Sequence, residues 1–159
     1  MDILLKALYT IYAFLPAYFA NATPTILGGG KPIDFKRNFI DGRRIFGDNK
    51  TVRGFISGVF AGTVVGILQK ELLRGALLSF GALIGDLGGA FIKRRFGLDP
   101  GAPLPLLDQL DFVAGALILS VNFFPIDITS MILIIVLTPF IHFLTNKIAY
   151  TLKLKSRPW

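Results

Sequence analysis

The acidic residues between positions 86 and 111 have types and spacing suited to binding a divalent cation. Asp108 and Asp111 are three residues apart, so their carboxylates point the same way if they begin a helix. Hard divalent ions take oxygen ligands from carboxylates and from substrate phosphates. Asp86 is a third carboxylate, and Lys93 follows it by seven residues on the same helix face. We predict a metal site beside cationic phosphate ligands. Helix capping is the alternative role for one of the aspartates.

A second segment, residues 28–54, combines glycines with basic side chains. Glycines let backbone N–H groups approach an anion, and lysine and arginine neutralise phosphate oxygens. Gly42 and Gly47 have the spacing of a P-loop, but Asp48 and Asn49 separate the second glycine from Lys50, which excludes that motif. The alternative is a solvated basic linker. The glycine, aspartate and asparagine residues among the charges favour a phosphate site.

Five long apolar stretches connect and flank these segments. A helix needs about 20 apolar residues to cross a bilayer, and 53% of the 159 residues are hydrophobic. The stretches are residues 3–22, 52–68, 75–92, 112–124 and 128–146. The fourth is short and reaches a plausible length only if its helix begins near Leu106 or includes Pro125. We predict one all-α integral membrane domain, residues 1–159, with about five transmembrane helices. Cysteine is absent, which excludes disulfides and thiolate chemistry.

The basic residues between the spans predict the orientation in the membrane. Formal net charge is +7, and most of the basic residues lie in residues 28–53, in residues 93–95 and in the tail at Lys147, Lys153, Lys155 and Arg157. Lys6, Lys70 and Arg74 fall on the other side. The positive-inside rule places the amino terminus outside the cell. It places the basic segments at residues 28–53 and 93–95, and the carboxyl terminus, in the cytoplasm. Because this bias accounts for the positive charge, no nucleic-acid partner is predicted.

Asp86 lies within the third span. A carboxylate at mid-bilayer costs roughly 2.5–3.5 kcal/mol, so it should face the bundle or a wet cavity. The span also contains small residues that permit close helix packing: Gly81, Ala82, Gly85, Gly88, Gly89 and Ala90. A polar pin between helices is the alternative for Asp86. The face shared with Lys93 leads to the basic cluster and favours a functional role.

The motifs together resemble a known family. Residues 85–111 are similar to the carboxy-terminal signature of CTP-dependent phosphatidate cytidylyltransferases. The matching residues are Gly85-Asp86-Leu87, Lys93-Arg94, Gly97, Pro105 and Asp108-Gln109-Leu110-Asp111. The chain is more similar to the archaeal branch, the CDP-archaeol synthases, through Asn21-Ala-Thr-Pro24, Pro32-Ile-Asp34, Asp41-Gly-Arg-Arg, Gly47-Asp-Asn-Lys50-Thr51 and Arg53-Gly54. It departs from the broader signature in lacking His-Gly-Gly before the aspartates and in having Gln109 between them.

The resemblance implies a reaction and a set of site residues. CTP and 2,3-di-O-geranylgeranylglyceryl phosphate would give CDP-archaeol and pyrophosphate at the cytoplasmic face of the cell membrane. Mg²⁺ would be held by Asp86, Asp108 and Asp111, with Lys93 and Arg94 on phosphate oxygens at the same centre. The expected contacts of the triphosphate are Arg43, Arg44, Asn49, Lys50, Thr51 and Arg53. Asp34 and Asp41 are weaker candidates that could instead order the loop.

Two other functions compete with this interpretation. A CTP-dependent polyprenol kinase would transfer the γ-phosphoryl group and release CDP. A non-enzymatic anion carrier would use the basic loops as a vestibule, although the chain lacks the inverted halves of many carriers.

A polar stripe in the last span has two possible roles. Thr138, His142 and Asn146 recur every four residues, so they share one helix face. We favour packing between helices over contact with a substrate.

Overall fold

The computed structural model describes residues 2–153 and consists of helices joined by loops, the longest of which is residues 28–51. The helices are α1 (Ile3–Ala22), α2 (Pro24–Leu27), α3 (Val52–Leu68), α4 (Leu72–Arg95), α5 (Leu107–Ser120) and α6 (Ile128–Thr151). Within this part of the chain there is no strand, only two isolated bridges, Pro32 with Thr51 and Asn38 with Arg44. The predicted all-α fold is confirmed. Lys155 and Arg157, counted among the cytoplasmic charges, lie outside the described residues.

Each predicted span corresponds to a helix: the bounds of α1 and α3 agree with the prediction, and those of α4, α5 and α6 differ from it. Helix α4 is longer than residues 75–92, because the basic residues at its end continue the helix while their charges reach a polar surface. Helix α5 begins at Leu107, close to the alternative start predicted near Leu106, and ends at Ser120 rather than at the predicted residue 124. Among residues 2–153, three segments are long and apolar enough to cross a bilayer: Ile3–Leu27, Leu72–Arg95 and Ile128–Thr151. Helix α3 is a shorter apolar helix, so the number of crossings stays a prediction.

One face of α3 consists of glycine. Gly54, Gly58, Gly62 and Gly66 recur every four residues and are all buried. A Cβ on Gly58 would lie 2.6 Å from the backbone oxygen of Ala20 in α1, and a Cβ on Gly66 would lie 2.5 Å from the Cα of Gly75 in α4. Small residues at such an interface let helix backbones come together. The glycine face therefore fixes α3 against α1 and α4.

Glycines also bring α4 and α5 together. A Cβ on Gly81 would lie 2.6 Å from the backbone oxygen of Gly115, and a Cβ on Gly85 would clash with the backbone oxygen of Asp111. The two helices therefore pack backbone to backbone along this contact. Its consequence is that Asp108 and Asp111 at the start of α5 lie next to the end of α4 that carries Asp86.

Helix α6 is joined to α1 by polar contacts. At one end, Lys6 Nζ lies 2.6 Å from Asp127 Oδ1, and Asp127 caps α6 by accepting a hydrogen bond from the Ser130 N–H. Farther along, the hydroxyls of Tyr18 and Thr138 are 2.7 Å apart. The bundle is thus closed between α1 and α6 at the end opposite the basic loops.

Candidate active site

A large cavity lies where the two loops meet the helix bundle. Its volume is about 1040 Å³, and α1, α3, α4, α5 and α6 all contribute to its wall. Polar and charged side chains of the first loop, α4 and α5 contribute to the wall: Asn49, Lys50, Thr51, Asp86, Lys93 and Asp108. Apolar side chains of α1, α2 and α6 contribute as well: Ile11, Leu15, Phe19, Ile26, Ile141 and Ala149. The cavity can therefore hold a ligand with one charged and one apolar part.

Lys50 joins the first loop, residues 28–51, to α4. Its Nζ lies 2.6 Å from both carboxylate oxygens of Asp86. Burial alone would lower the pKa of Lys50, but the negative charges of Asp86, Asp111 and Asp108 outweigh it and raise the pKa. Lys50 is therefore a cation at neutral pH, within the field of all three predicted metal ligands.

Lys93 makes the corresponding contact with α5. Its Nζ lies 2.6 Å from Asp108 Oδ1 and donates to the backbone oxygen of Ala102 at 2.9 Å. The other oxygen of Asp108 accepts a hydrogen bond from the Leu104 N–H at 2.8 Å. The second loop, residues 96–106, is thereby folded over the start of α5. Two lysine–aspartate pairs, one from each loop region, stand on the same side of the cavity.

Asp111 lies behind these pairs, against α4. Its Oδ1 accepts a hydrogen bond from the Phe112 N–H at 2.6 Å. Its Oδ2 occupies the space that a Cβ on Gly89 would take. Asp111 does not form part of the cavity wall itself. A glycine at position 89 is therefore needed to leave room for this carboxylate.

The fold of the first loop is organised around Asp34, whose side chain is fully buried. The carboxylate accepts hydrogen bonds from the N–H groups of Lys36, Phe46 and Gly47, each at 3.0 Å, and Arg44 Nη2 lies 2.7 Å from Oδ1. Burial would raise the pKa of Asp34, but Arg44 and these N–H groups lower it to about 2. Asp34 therefore orders the loop that carries Lys50.

A second set of contacts attaches the first loop to the end of α4. Arg43 Nη1 donates to the backbone oxygens of Arg95 at 2.6 Å and Arg94 at 3.2 Å, at the carboxyl-terminal end of α4. Arg95 forms an ion pair with Asp41 at 2.8 Å and donates to the backbone oxygen of Arg44 at 2.6 Å. These arginines hold the first loop against the end of α4.

The structure brings together only some of the residues expected to contact a triphosphate. Asn49, Lys50 and Thr51 line the cavity, and Thr51 also caps α3 by accepting from the Gly54 N–H. The remaining expected triphosphate contacts, Arg43, Arg44 and Arg53, lie outside the cavity wall, and so does Arg94, which was expected beside Lys93 at the metal centre. Arg94 is only 5% exposed and donates to the backbone oxygen of Asp99. Phosphate contacts by these four arginines stay predictions.

The stripe on α6 is divided between two environments. Thr138 is fully buried and pairs with Tyr18, whereas His142 and Asn146 line the cavity and contact each other at 3.1 Å. The His142 ring also stacks on Phe112 at a centroid distance of 6.3 Å. Packing between helices therefore describes Thr138, and the other two residues form part of the cavity wall. Tyr18 also lines the cavity, although it was not among the predicted site residues. Its position on α1, three residues before Asn21, is the sequence feature that could have indicated such a role.

The donor set at the charged side fits a hard cation. Among residues 2–153, no group of three His, Cys, Asp or Glu side chains is arranged to hold a metal ion by itself. Magnesium, however, commonly binds through one or two carboxylates together with substrate phosphates. Asp86 and Asp108 supply such oxygens at the cavity wall, and Asp111 lies within the same electrostatic cluster. A metal bound jointly with a nucleotide is compatible with these residues.

Apolar helices long enough to cross a bilayer, together with a cavity lined by both charged and apolar residues, are typical of an enzyme that acts within a membrane. A solved structure described as an intramembrane enzyme for archaeal membrane lipid biosynthesis superposes with a TM-score of 0.81 at 37% identity, covering 87% of this chain and 93% of that one.

The family described as CarS-like, CDP-archaeol synthase, matches residues 1–159. The CDP-archaeol synthase of Pyrococcus furiosus is 47% identical, over 96% of this chain and 98% of its own length. That of Thermococcus gammatolerans is 46% identical over the full length of both, and that of Methanocaldococcus jannaschii 43%, over 94% of this chain and 96% of its own. The chain belongs to the CDP-archaeol synthase family. The resemblance drawn from the motifs is confirmed.

Proposed function

We propose that this chain transfers CMP from CTP to the phosphate of 2,3-di-O-geranylgeranylglyceryl phosphate, giving CDP-archaeol and pyrophosphate. Family membership supports the cytidylyltransferase activity and its place in archaeal lipid synthesis. The detailed proposal rests on two ion pairs, Lys50 with Asp86 and Lys93 with Asp108. Both lie at a cavity that is also lined by apolar side chains.

The reaction needs charge neutralisation more than covalent chemistry. An oxygen of the lipid phosphate attacks the α-phosphorus of CTP, and the bond to the β-phosphate oxygen breaks as pyrophosphate leaves. The lipid phosphate is already an anion near neutral pH, so no general base is required. Lys50 and Lys93 exchange part of their contact with Asp86 and Asp108 for phosphate oxygens, where a preorganised cation stabilises developing negative charge. Asn49 and Thr51 donate hydrogen bonds from the same wall.

Magnesium belongs to the proposal as a partner of the nucleotide. Asp86, Asp108 and Asp111 would hold it, and when bound it screens the phosphate oxygens and stabilises the leaving pyrophosphate. The lysines then serve as counter-ions that keep the three carboxylates close together before the nucleotide binds.

The apolar wall is proposed to take the lipid. Phe19 and Ile26 line the cavity, yet they are 51% and 62% exposed, so this side of the cavity opens outward between α1 and α6. Such an opening lets isoprenoid chains remain in the bilayer while the phosphate reaches the lysines. His142 and Asn146 stand on the α6 side of this path.

The active site is proposed to face the cytoplasm. Both loops and the carboxyl-terminal end of α6 lie at one end of the bundle, with most of the basic residues, and the positive-inside rule places that end inside. CTP is supplied from the cytoplasm, which requires the same orientation.

The proposal is tested on purified protein in detergent with Mg²⁺, radiolabelled CTP and geranylgeranylglyceryl phosphate. We expect CDP-lipid and pyrophosphate in equal amounts, with loss of both after EDTA treatment and recovery on adding Mg²⁺. Asp86→Asn should lower turnover by about 100-fold or more, whereas Asp99→Asn, an exposed aspartate of the second loop, should leave it near the wild-type value.

The products distinguish the alternatives. CDP together with a newly phosphorylated polyprenol would establish the kinase. If folded protein uses CTP with neither acceptor, both enzymatic functions are contradicted. Anion transport would then be measured.

A further inference from the structure

A second, smaller cavity lies at the other end of the bundle. We call it the distal cavity. Its volume is about 170 Å³, and its polar lining includes Arg74, Ser120, Asp127 and Ser130. Arg74 and Lys93 are nineteen residues apart on α4, which corresponds to about 28 Å along the helix. This separation is close to the thickness of the hydrocarbon core. The distal cavity therefore lies at the opposite membrane surface from the lysine–aspartate pairs.

Arg74 is a cation in this cavity without a partner in the described part of the chain. Its Nε is buried and has no hydrogen-bond acceptor. None of the ion pairs among residues 2–153 includes Arg74. A buried guanidinium N–H is costly to leave unpaired, because the group loses its water without replacing it. An acceptor from outside the chain would remove this cost.

A second polar group points to the same ligand. Ser120 is only 5% exposed and lines the distal cavity, and its hydroxyl makes no hydrogen bond within residues 2–153. It can therefore donate to an acceptor that also reaches Arg74. Ser120 is at the end of α5, whereas Arg74 is at the start of α4, so the two donors approach the cavity from different helices.

The charge of the cavity favours an anion. Asp127 is the carboxylate of the lining, but it is already engaged by Lys6 Nζ at 2.6 Å and by the Ser130 N–H and hydroxyl at 3.2 and 2.8 Å. Arg74 has no ion-pair partner among residues 2–153. The planar guanidinium fork matches the oxygens of a phosphate group. At this depth in the membrane, such a group is carried by lipid headgroups or by free phosphate.

We propose that the distal cavity binds a phosphate anion, with the Arg74 guanidinium and the Ser120 hydroxyl as its ligands. This site is separate from the proposed catalytic site and does not depend on the reaction assigned to it. Occupation would stabilise the packing of α1, α4 and α5 at the non-catalytic end.

The test uses the full chain in a neutral detergent and follows thermal unfolding by circular dichroism. The probes are dioctanoyl phosphatidylglycerol, dioctanoyl phosphatidylcholine and sodium phosphate at constant ionic strength. Phosphatidylglycerol should raise the wild-type melting temperature saturably. In Arg74→Gln, the phosphatidylglycerol concentration that gives half of the maximal rise in melting temperature should increase about tenfold. In Ser120→Ala the same concentration should increase by a smaller factor. Lys70→Gln, which removes an exposed basic residue four positions away, is the matched control and should respond as wild type.

The remaining outcomes decide the source of the phosphate or overturn the site. A saturable shift with phosphatidylglycerol alone assigns the cavity to an anionic headgroup, and the same Arg74-dependent shift with sodium phosphate assigns it to the free anion. Equal responses of wild type and Arg74→Gln, or no response in wild type, would overturn the proposal. The circular dichroism spectrum without added ligand serves as the check of folding, and it should be the same in Arg74→Gln as in wild type.

Discussion

At the scale of single residues, the proposed catalytic region is composed of charges that neutralise each other across elements. Lys50 belongs to a loop and Asp86 to a membrane helix, while Lys93 and Asp108 belong to successive helices. Each pair keeps a carboxylate near the cavity without leaving an uncompensated charge at the membrane edge. Each pair can also open when a phosphate offers the lysine a new partner.

Removing the positive charge of Lys50 should abolish most of the activity. Lys50→Gln is expected to lower kcat/KM for CTP by about 100-fold or more, because a preorganised cation is lost from the phosphate site. Lys31→Gln is the matched control, since Lys31 is an exposed lysine of the same loop. Steady-state kinetics with varied CTP provide the measurement. Equal activity of the two variants would show that Lys50 only orders the loop.

Asp34 should make the stability of the protein depend on acidity. Its pKa is lowered from 3.8 to about 2 in the folded protein, so its contribution is present above about pH 4 and is lost as pH falls through 2. This contribution of Asp34 to the free energy of unfolding is about 2 kcal/mol. Asp34→Asn should therefore lower the melting temperature at pH 5 and converge with wild type near pH 2. Asp48→Asn, which removes an exposed partner of Arg44, should change little at either pH.

At the scale of elements, close backbone contacts place the functional groups. Gly81, Gly85 and Gly115 let α5 lie directly on α4, and this contact sets the distance between Asp86 and the two aspartates of α5. A larger residue would separate the helices and the carboxylates together. The geometry of the site is therefore sensitive to changes that touch no charged residue.

Adjacent glycines on α4 offer a direct test. A methyl group on Gly89 would collide with the Asp111 carboxylate, whereas one on Gly88 meets nothing within 4 Å. Gly89→Ala should lower kcat by about tenfold to 100-fold, because small displacements of reacting groups are costly. Gly88→Ala should keep wild-type turnover. CTP turnover and melting temperature are measured for both variants, and a Gly89→Ala enzyme with full kcat would refute the positioning role of this glycine.

The sequence predicted the helices and the aspartates better than the loops. Hydrophobic length located each long helix, and the spacing of Asp108 and Asp111 placed both carboxylates at the start of α5. Composition could not tell which basic residues of the first loop face the cavity. Arg43 caps α4 and Arg44 pairs with Asp34, contacts that depend on the folded path of the loop. The glycine face of α3 was readable as a four-residue repeat, but its partners on α1 and α4 were not.

At the scale of the whole molecule, the bundle separates a charged region from an apolar one within a single cavity. The carboxylates and lysines stand at the loop end, and the apolar wall continues along α1 and α6. At the opposite end the two helices are linked by Lys6 and Asp127. In the proposed reaction, the lipid and the nucleotide would therefore approach the lysines from different directions.

Narrowing the apolar wall should affect one substrate only. Ile141→Trp, in the cavity wall, is expected to raise KM for the lipid several-fold while leaving KM for CTP unchanged. Phe140→Trp is the matched control, since Phe140 is 71% exposed and lies outside the cavity wall. Kinetics with each substrate varied in turn provide the measurement. An equal rise of both KM values would indicate general distortion of α6.

The outward opening beside Phe19 and Ile26 has a consequence for how the enzyme is supplied. A slot that faces the bilayer receives its substrate by two-dimensional diffusion, so the relevant concentration is moles of substrate per mole of surrounding lipid. Diluting the substrate with inert lipid, at a constant amount per millilitre, should slow the reaction in proportion. The enzyme would thus sense the composition of its own membrane, and its output would rise and fall with the fraction of unfinished lipid around it.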